Sequence, residues 1–316
     1  MTFRPARWLP NRHLMTIWAN LARLPIRLPV ERERWDLPDG DFLDVDRIRR
    51  PDAPLMIVLH GLESSSRAGY VRGLLAEGVR RGLAAAAINF RGCSGPNRAA
   101  RFYHSGETGD LAFAVERLAR EAPALVLAGF SLGGNVVVKY LGERGDDVPR
   151  AVRAAAVVSV PFDLQRCAAA LDGPGLPAWI YRERFLRQLR RKAIAKAARF
   201  PGRIDADRAR LARTMFAFDD AVTAPLHGFR DAHDYWAQSS SGPYVARVRR
   251  PLLILAAEDD PFVPAETIPV EAARANPQVT LETFAEGGHV AFVGGAPWAP
   301  SRWAERRVAE FLAASA

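Results

Sequence analysis

Residues 125–135 read LVLAGFSLGGN, and this stretch contains the pattern that decides the fold. Its apolar beginning predicts a buried strand over Ala124–Ala128, and a helix is predicted over Gly133–Gly142. The G-x-S-x-G sequence therefore occupies a turn between a strand and a helix, where a serine side chain is exposed and the glycines leave room for neighbouring backbone. Ser131 is accordingly a candidate nucleophile.

A serine nucleophile requires a general base, and the base requires an acid that orients it. Asp259 and Asp260 follow one predicted strand, and His289 follows the last predicted strand. Because the carboxyl ends of parallel strands lie at one edge of a sheet, we expect Ser131, Asp260 and His289 to form a catalytic triad in this chain order. Asp259 is the alternative acid, and we prefer Asp260 because the triad acid usually directly precedes the x-x-V-P turn.

Two backbone amides are expected to stabilise the oxyanion that such a reaction forms. The sequence His60-Gly61-Leu62 follows the first core strand, and its glycine lets the backbone turn and present the next N–H. We predict the N–H groups of Leu62 and Leu132 as the two donors. Loss of one donor of this kind typically lowers the rate by about 10²- to 10³-fold.

Short apolar strands alternate with amphipathic helices from residue 54 onward, which predicts an α/β fold with a mostly parallel central sheet flanked by helices. Strands are predicted over Leu55–Leu59, Ala84–Phe90, Ala124–Ala128, Ala154–Val160, Leu252–Ala256 and Val279–Phe284. Helices are predicted over Tyr70–Arg81, Thr108–Arg120, Gly133–Gly142 and from Ser301 onward. An antiparallel hairpin of Arg32–Leu37 and Phe42–Arg47 is predicted before them.

Between Asp163 and Arg249 no strand is predicted, and Tyr181–Arg199 is strongly basic and helical. We therefore predict a helical cap insertion over residues 164–244, within a core formed by residues 1–163 and 245–316. Residues 1–30 are expected to form an N-terminal arm. The basic helix over residues 182–199 has interleaved apolar residues, so it is either a packed cap helix with a solvated basic face or a contact site for an anionic membrane.

The composition is that of a globular protein of 316 residues. The chain has 44 Lys and Arg residues and 35 Asp and Glu residues, which gives a net charge of +9. This charge either favours anionic partners or only reflects arginine residues that are spread along the chain. No nucleic-acid-binding module is recognisable, so nucleic acid is not an expected partner. Two cysteines do not form a disulfide framework, and we expect a cytoplasmic protein, with peripheral contact at the inner membrane face as an option.

The remaining polar candidates are expected to be structural. His13 and His60 are predicted to have structural roles, and Cys93 is predicted to be a small packed residue. Four residues of the cap segment are expected on a solvated polar face rather than around a metal ion: His227, Asp231, His233 and Asp234. No cofactor or metal is expected.

The chain resembles the α/β-hydrolases, and specifically the YheT-like branch that includes plant embryogenesis-associated proteins and mammalian abhydrolase-domain phospholipases. The resemblance is carried by motifs along nearly the whole chain: Trp8–Leu14, His60–Glu63, Asn89–Gly92, Gly129–Asn135, Gly228–Trp236, Ser239-Ser240, Asp259–Phe262 and Gly288-His289. It implies hydrolysis of carboxylic esters by Ser131, Asp260 and His289. The substrate does not follow, because the branch includes both short-chain esterases and phospholipases.

We therefore predict a serine hydrolase that cleaves short- to medium-chain acyl esters through an acyl-enzyme. A phospholipase or lipid esterase at a membrane surface, an amidase, a thioesterase and an acyltransferase are alternatives with the same catalytic groups. A membrane-associated binding protein without catalysis is the alternative from a different functional class.

Overall fold

A computed structural model describes residues 2–21 and 26–316. Its central element is an eight-stranded sheet whose strands are β1 (Glu31–Asp36), β2 (Phe42–Ile48), β3 (Leu55–Leu59), β4 (Ala84–Asn89), β5 (Leu125–Phe130), β6 (Val152–Val158), β7 (Leu252–Ala257) and β8 (Val279–Phe284). The order across the sheet is β1-β2-β4-β3-β5-β6-β7-β8. Strands β3 to β8 run parallel to one another, whereas β1 and β2 form an antiparallel hairpin at one edge, in which β2 is also antiparallel to β4. The predicted mostly parallel sheet is confirmed.

The described residues form twelve α-helices: α1 (Arg12–Leu21), α2 (Gly69–Arg80), α3 (Gly109–Leu118), α4 (Leu132–Arg144), α5 (Leu164–Asp172), α6 (Leu176–Arg199), α7 (Ala206–Leu211), α8 (Met215–Phe218), α9 (Ala224–His227), α10 (Ala232–Ser239), α11 (Val270–Ala275) and α12 (Trp303–Ser315). Helices α3, α4 and α11 pack on one face of the sheet, and α2 and α12 pack on the other. Side chains of a strand alternate between these faces, so Leu127 of β5 enters one core and Val126 the other.

Several elements outside the insertion differ from the sequence prediction. Helices α1 and α11 form where no helix was predicted, and a second sheet pairs β9 (Val293–Ala296) with β10 (Ala299–Arg302). The last helix was predicted from Ser301, but it begins at Trp303 because Ser301 and Arg302 belong to β10 and pair with β9. Glycine in β9 and proline in β10 weaken the local strand signal.

All α-helices between β6 and β7 belong to the segment predicted as a cap, and the structure describes no strand there. Helices α5 to α10 enclose their own apolar cluster, which includes Leu186, Phe218 and Trp236. This cluster extends to Phe262 and Val263, which lie on the loop after β7. The helical segment therefore packs against the carboxyl edge of the sheet. We refer to it below as the insertion and retain residues 164–244 as its proposed limits.

The basic cluster on α6 is smaller at the surface than the sequence suggests. Five of its members bind other groups of the protein: Arg182, Arg190, Lys192, Lys196 and Arg199. Arg190 pairs with Glu183 on the same helix, and Lys192 pairs with Glu63 of the core. The solvated basic face of this helix is therefore smaller than its sequence suggests, because several long side chains reach carboxylates and carbonyl groups of the fold.

Within residues 2–21 and 26–316, no helix has both the length and the apolar composition needed to cross a lipid bilayer.

Candidate active site

Ser131 lies between β5 and α4 in a strained backbone conformation. Its φ is +52° and its ψ is −122°, a region that L-residues rarely adopt. A Cβ on Gly129 would collide with the backbone of Gly133 and Gly134, and a Cβ on Gly133 would collide with the carbonyl of His60. The turn therefore requires glycine at both positions, and this close packing holds Ser131 at the carboxyl edge of the sheet.

The three side chains predicted as a triad form one hydrogen-bonded series. His289 Nε2 lies 3.0 Å from Ser131 Oγ, and His289 Nδ1 lies 2.8 Å from the nearer carboxylate oxygen of Asp260. The carboxylate accepts only, so the hydrogen-bond partners assign the proton of the neutral ring to Nδ1. Nε2 is then free to accept the serine hydroxyl proton.

The two neighbouring aspartates occupy different environments. Asp260 Oδ1 also accepts the N–H groups of Phe262 and Val263, and the side chain is buried. Asp259 Oδ1 accepts the N–H groups of Gly287 and Gly288 instead, which ties the loop before His289 to the end of β7. Asp260 is therefore the aspartate that contacts the histidine, as the sequence predicted.

The loop that carries His289 is held by two hydroxyl groups that sequence reasoning missed. Thr16 Oγ1 of α1 accepts the N–H of His289 at 2.9 Å, and Ser159 Oγ accepts the N–H of Val290 at 3.0 Å. The ring of Phe262 packs 4.3 Å from the His289 ring. No helix was predicted around Thr16, and no local signal linked this residue to His289.

The two predicted oxyanion donors lie beside Ser131. Gly61 is so close that a Cβ on it would be 3.3 Å from Ser131 Cβ, and Leu62 is the next residue. Leu132 is the first residue of α4, where a backbone N–H has no partner within the helix. Neither the Leu62 nor the Leu132 N–H has an acceptor in the part of the chain that the structure describes. Both amides are thus available to an anion at this place.

His60 shapes the oxyanion turn, as predicted for a structural histidine. Its Nε2 accepts the Phe90 N–H at 3.2 Å, and its Nδ1 lies 2.8 Å from the carbonyl of Gly61. Burial lowers the pKa of His60 to about 4, so the ring is neutral near pH 7. Tyr70 Oη completes the turn by accepting the Gly61 N–H.

Residues 54–296 match the family described as alpha/beta hydrolase fold. The chain is also 38% identical to YheT of Escherichia coli, a protein whose name proposes an esterase, over 98% of this chain and 92% of that one. The chain belongs to the α/β-hydrolase family, in its YheT-like branch. Mouse phospholipase ABHD3 is 31% identical over 77% of this chain and 59% of its own length.

The fold of this α/β-hydrolase is also similar to that of solved esterases. An esterase of Pyrococcus furiosus superposes with a TM-score of 0.56 at 18% identity, covering 92% of this chain and 97% of that chain. At this identity the likeness concerns the fold alone.

Two cavities of the hydrolase meet at Ser131 and His289. The insertion-side cavity has about 90 Å³ and is mainly apolar, with walls from Leu164, Ala168, Leu171, Met215 and Trp236. The arm-side cavity has about 100 Å³ and is lined by more polar side chains, which include Thr16, Asn20, Glu63, Ser64, Arg184 and Gln188. The nucleophile candidate thus faces a mainly apolar space on one side and a space with more polar side chains on the other.

Asp219 is the one carboxylate in the wall of the insertion-side cavity. It begins a π-helical turn over Asp219–Thr223, and its oxygens accept the Thr223 hydroxyl at 2.7 Å and the Trp236 indole N–H at 2.9 Å. Burial raises the pKa of Asp219 to about 6. The first bond closes the π-helical turn and the second joins this turn to α10, which is a structural role for this group.

The expectation of a solvated face is wrong for His227. This histidine packs 4.5 Å from the His104 ring, and its Nε2 is buried without a partner among the described residues. His233 is exposed, and Asp231 caps α10 by accepting the Asp234 N–H. Within residues 2–21 and 26–316, no group of three or more His, Cys, Asp or Glu side chains is arranged as a metal site.

Proposed function

We propose that this chain is a serine hydrolase that cleaves carboxylic esters through an acyl-enzyme. Ser131 is the nucleophile, His289 the general base and Asp260 the acid that orients the base. The observation that carries the proposal is the series of contacts from Ser131 Oγ to His289 (3.0 Å) and from His289 to Asp260 (2.8 Å).

In this mechanism Ser131 Oγ attacks the acyl carbon while His289 Nε2 takes the hydroxyl proton. Asp260 stabilises the imidazolium that forms, and the N–H groups of Leu62 and Leu132 bind the oxyanion. His289 then gives its proton to the leaving alcohol, and a water molecule activated by the same imidazole hydrolyses the acyl-enzyme. Every proton transfer uses this one histidine, so no metal or cofactor is part of the proposal.

The insertion-side cavity is our proposed acyl site. Its volume of about 90 Å³ is smaller than the cavity of about 150 Å³ that holds a benzene molecule in an engineered protein. Its walls are mainly aliphatic and aromatic, which suits an acyl chain. These features support short- to medium-chain acyl groups, with the alcohol part in the arm-side cavity. We also propose a cytoplasmic location, which the two free thiols of Cys93 and Cys167 support.

A lipid esterase is the second candidate. The similarity to a phospholipase favours it, and so do exposed apolar side chains near the arm-side cavity, which are described in the next subsection. The two candidates share the catalytic groups and differ in the alcohol part of the ester.

The test is hydrolysis of p-nitrophenyl esters of two to sixteen carbons by the wild-type protein and Ser131→Ala, with fluorophosphonate labelling of both. We expect labelling and turnover only in the wild type, with a rate maximum at short chains. Asp260→Asn should lower kcat by about 10⁴-fold, since the imidazole loses its orienting carboxylate. Asp259→Asn is the matched control and should retain most of the activity, because Asp259 binds backbone rather than His289.

Other outcomes discriminate among the alternatives. A maximum at long chains would favour the lipid esterase. Labelling without ester turnover would point to thioesters, amides or phospholipids as substrates. Absence of labelling in folded wild-type protein would overturn the catalytic proposal and favour the binding-protein alternative.

A further inference from the structure

Exposed apolar side chains are concentrated on two helices beside the arm-side cavity. Of the ten large hydrophobic residues that are exposed in the described part of the chain, six lie on α1 or at the beginning of α6. These six are Leu14, Ile17, Leu21, Leu176, Trp179 and Ile180. Leu21, Leu176 and Trp179 are 69%, 67% and 52% exposed. Such a concentration of large exposed apolar side chains is unusual for a surface that contacts only water.

The two helices adjoin each other. His13 of α1 stacks on Tyr181 of α6, and its Nδ1 lies 3.2 Å from the tyrosine Oη. On α1 the apolar residues follow a spacing of three and four, and on α6 they occupy one face of the first two turns. The exposed apolar residues thus lie on two helices that meet at this contact, and we call these six residues together the rim.

The rim borders the entrance to the candidate active site. Ile17 and Asn20 of α1 and Tyr181, Arg184 and Gln188 of α6 line the arm-side cavity, which leads to Ser131. A molecule that covered the rim would thus lie at the mouth of the cavity. This continuity distinguishes the rim from isolated apolar residues elsewhere, such as Leu211.

Beyond the rim, the same exposed face of α6 carries positively charged side chains. Arg184, Arg187 and Arg191 follow Ile180 on the same face and are exposed. No carboxylate forms an ion pair with these three arginines in the part of the chain that the structure describes. From Leu176 to Arg191 the face extends over about 22 Å along the helix axis. Apolar groups with a tryptophan, followed by unpaired arginines, match the acyl boundary and the anionic headgroups of a lipid layer.

We propose that the rim, together with Arg184, Arg187 and Arg191, docks the protein on an anionic lipid surface with the arm-side cavity facing the lipid. The apolar side chains enter the acyl boundary, and the arginines bind lipid phosphates. The site keeps only Arg184, Arg187 and Arg191 of the basic helix predicted over residues 182–199 and adds the apolar rim, because most of the other basic side chains of that helix bind the protein itself. The inference rests on the lipid-esterase candidate of the proposed function, since it names lipid-borne esters as the substrates that reach Ser131 by this route.

The test measures binding separately from catalysis. Ser131→Ala protein is sedimented with vesicles of phosphatidylcholine alone or with about 30% phosphatidylglycerol. We expect at least tenfold stronger partitioning onto the anionic vesicles, and loss of this difference in 0.5 M salt. Leu176→Ser combined with Trp179→Ser should lower partitioning by about tenfold. Leu211→Ser is the matched control, because Leu211 is an equally exposed leucine on another helix of the insertion (71%).

A second measurement locates the contact. Vesicles with brominated acyl chains quench tryptophans that enter the lipid, and Trp179→Phe should remove most of the quenching that the wild type shows. Equal partitioning of Leu176→Ser/Trp179→Ser and Leu211→Ser, or quenching that Trp179→Phe does not change, would overturn the inference. Binding is measured with Ser131→Ala, so an active esterase that ignores vesicles refutes only this inference, and an inactive protein that binds them refutes only the proposed catalysis.

Discussion

Thr16 is a residue far from the G-x-S-x-G motif that nevertheless contacts the candidate site. Its hydroxyl accepts the backbone N–H of His289 and donates to the carbonyl of Arg12, so α1 is connected directly to the histidine loop. The adjacent Gly288 has φ of +60°, and a Cβ there would lie 2.8 Å from Thr16 Oγ1. The position of the imidazole thus depends on a side chain from the other end of the sequence.

We predict that Thr16→Val lowers kcat for p-nitrophenyl acetate by about 10- to 100-fold with a smaller change in KM. Valine has the same shape as threonine but leaves the buried N–H of His289 without an acceptor, which shifts the loop. Thr16→Ser keeps the hydroxyl and should restore most of the rate. Equal activity of Thr16→Val and the wild type would show that the arm does not position the base.

At the scale of the element, the insertion determines the size of the proposed acyl site. Helix α5 contributes Leu164, Ala168 and Leu171 to the wall, and α8 and α10 contribute Met215 and Trp236. Their apolar cluster is distinct from the two clusters that cover the sheet. Acyl-chain selectivity is therefore separable from the serine, histidine and aspartate, which lie on loops of the core.

We predict that Ala168→Leu lowers the ratio of kcat/KM for butyrate over acetate esters by at least about tenfold. The three added carbons occupy part of a cavity of about 90 Å³, so the longer chain is excluded first. Ala169→Leu provides the control, because Ala169 is the exposed neighbour on the same helix. An unchanged ratio in Ala168→Leu would place the acyl chain elsewhere.

At the scale of the whole molecule, three poorly exposed histidines make the fold sensitive to acid. Burial lowers the pKa of His60 to about 4 and the pKa values of His104 and His227 to about 3. The unfolded chain binds protons at these groups near pH 6.5, whereas the folded protein does not. Stability is therefore lost as the pH falls below 6.5, by about 2 kcal/mol for each histidine at pH 5. Asp219 acts in the opposite direction, because its pKa is raised to about 6.

We predict that the free energy of unfolding in urea falls by several kcal/mol between pH 7.5 and pH 5. His227→Phe should reduce this fall by about 2 kcal/mol, because the variant removes one group that the unfolded chain protonates. His233→Phe is the control and should leave the fall unchanged, since His233 is exposed. If the free energy of unfolding falls by the same amount between pH 7.5 and pH 5 in both variants and the wild type, His227 is not held neutral by the fold.

The sequence predicted the parallel strands well because each is a short apolar run between turn signals. Both features are set by neighbouring residues and can be read from the local sequence. Strands β3 and β8 have the predicted bounds, and the others differ by at most two residues at either end. Helices α1 and α11 and the β9–β10 hairpin were missed. Val293 of β9 accepts the Ala6 N–H, so the hairpin and the arm are ordered by contacts between the two ends of the chain.

By itself, the sequence determined the class of fold, the strained serine turn and the chain order of the three candidate catalytic residues. Those features depend on local periodicity and on glycines that a tight turn requires. Only the tertiary structure decided that Thr16 holds the histidine loop and that Lys192, Lys196 and Arg199 of α6 bind the core. These outcomes depend on which groups meet in space, and hydrogen-bond partners more than a hundred residues apart leave no periodic signal in the sequence.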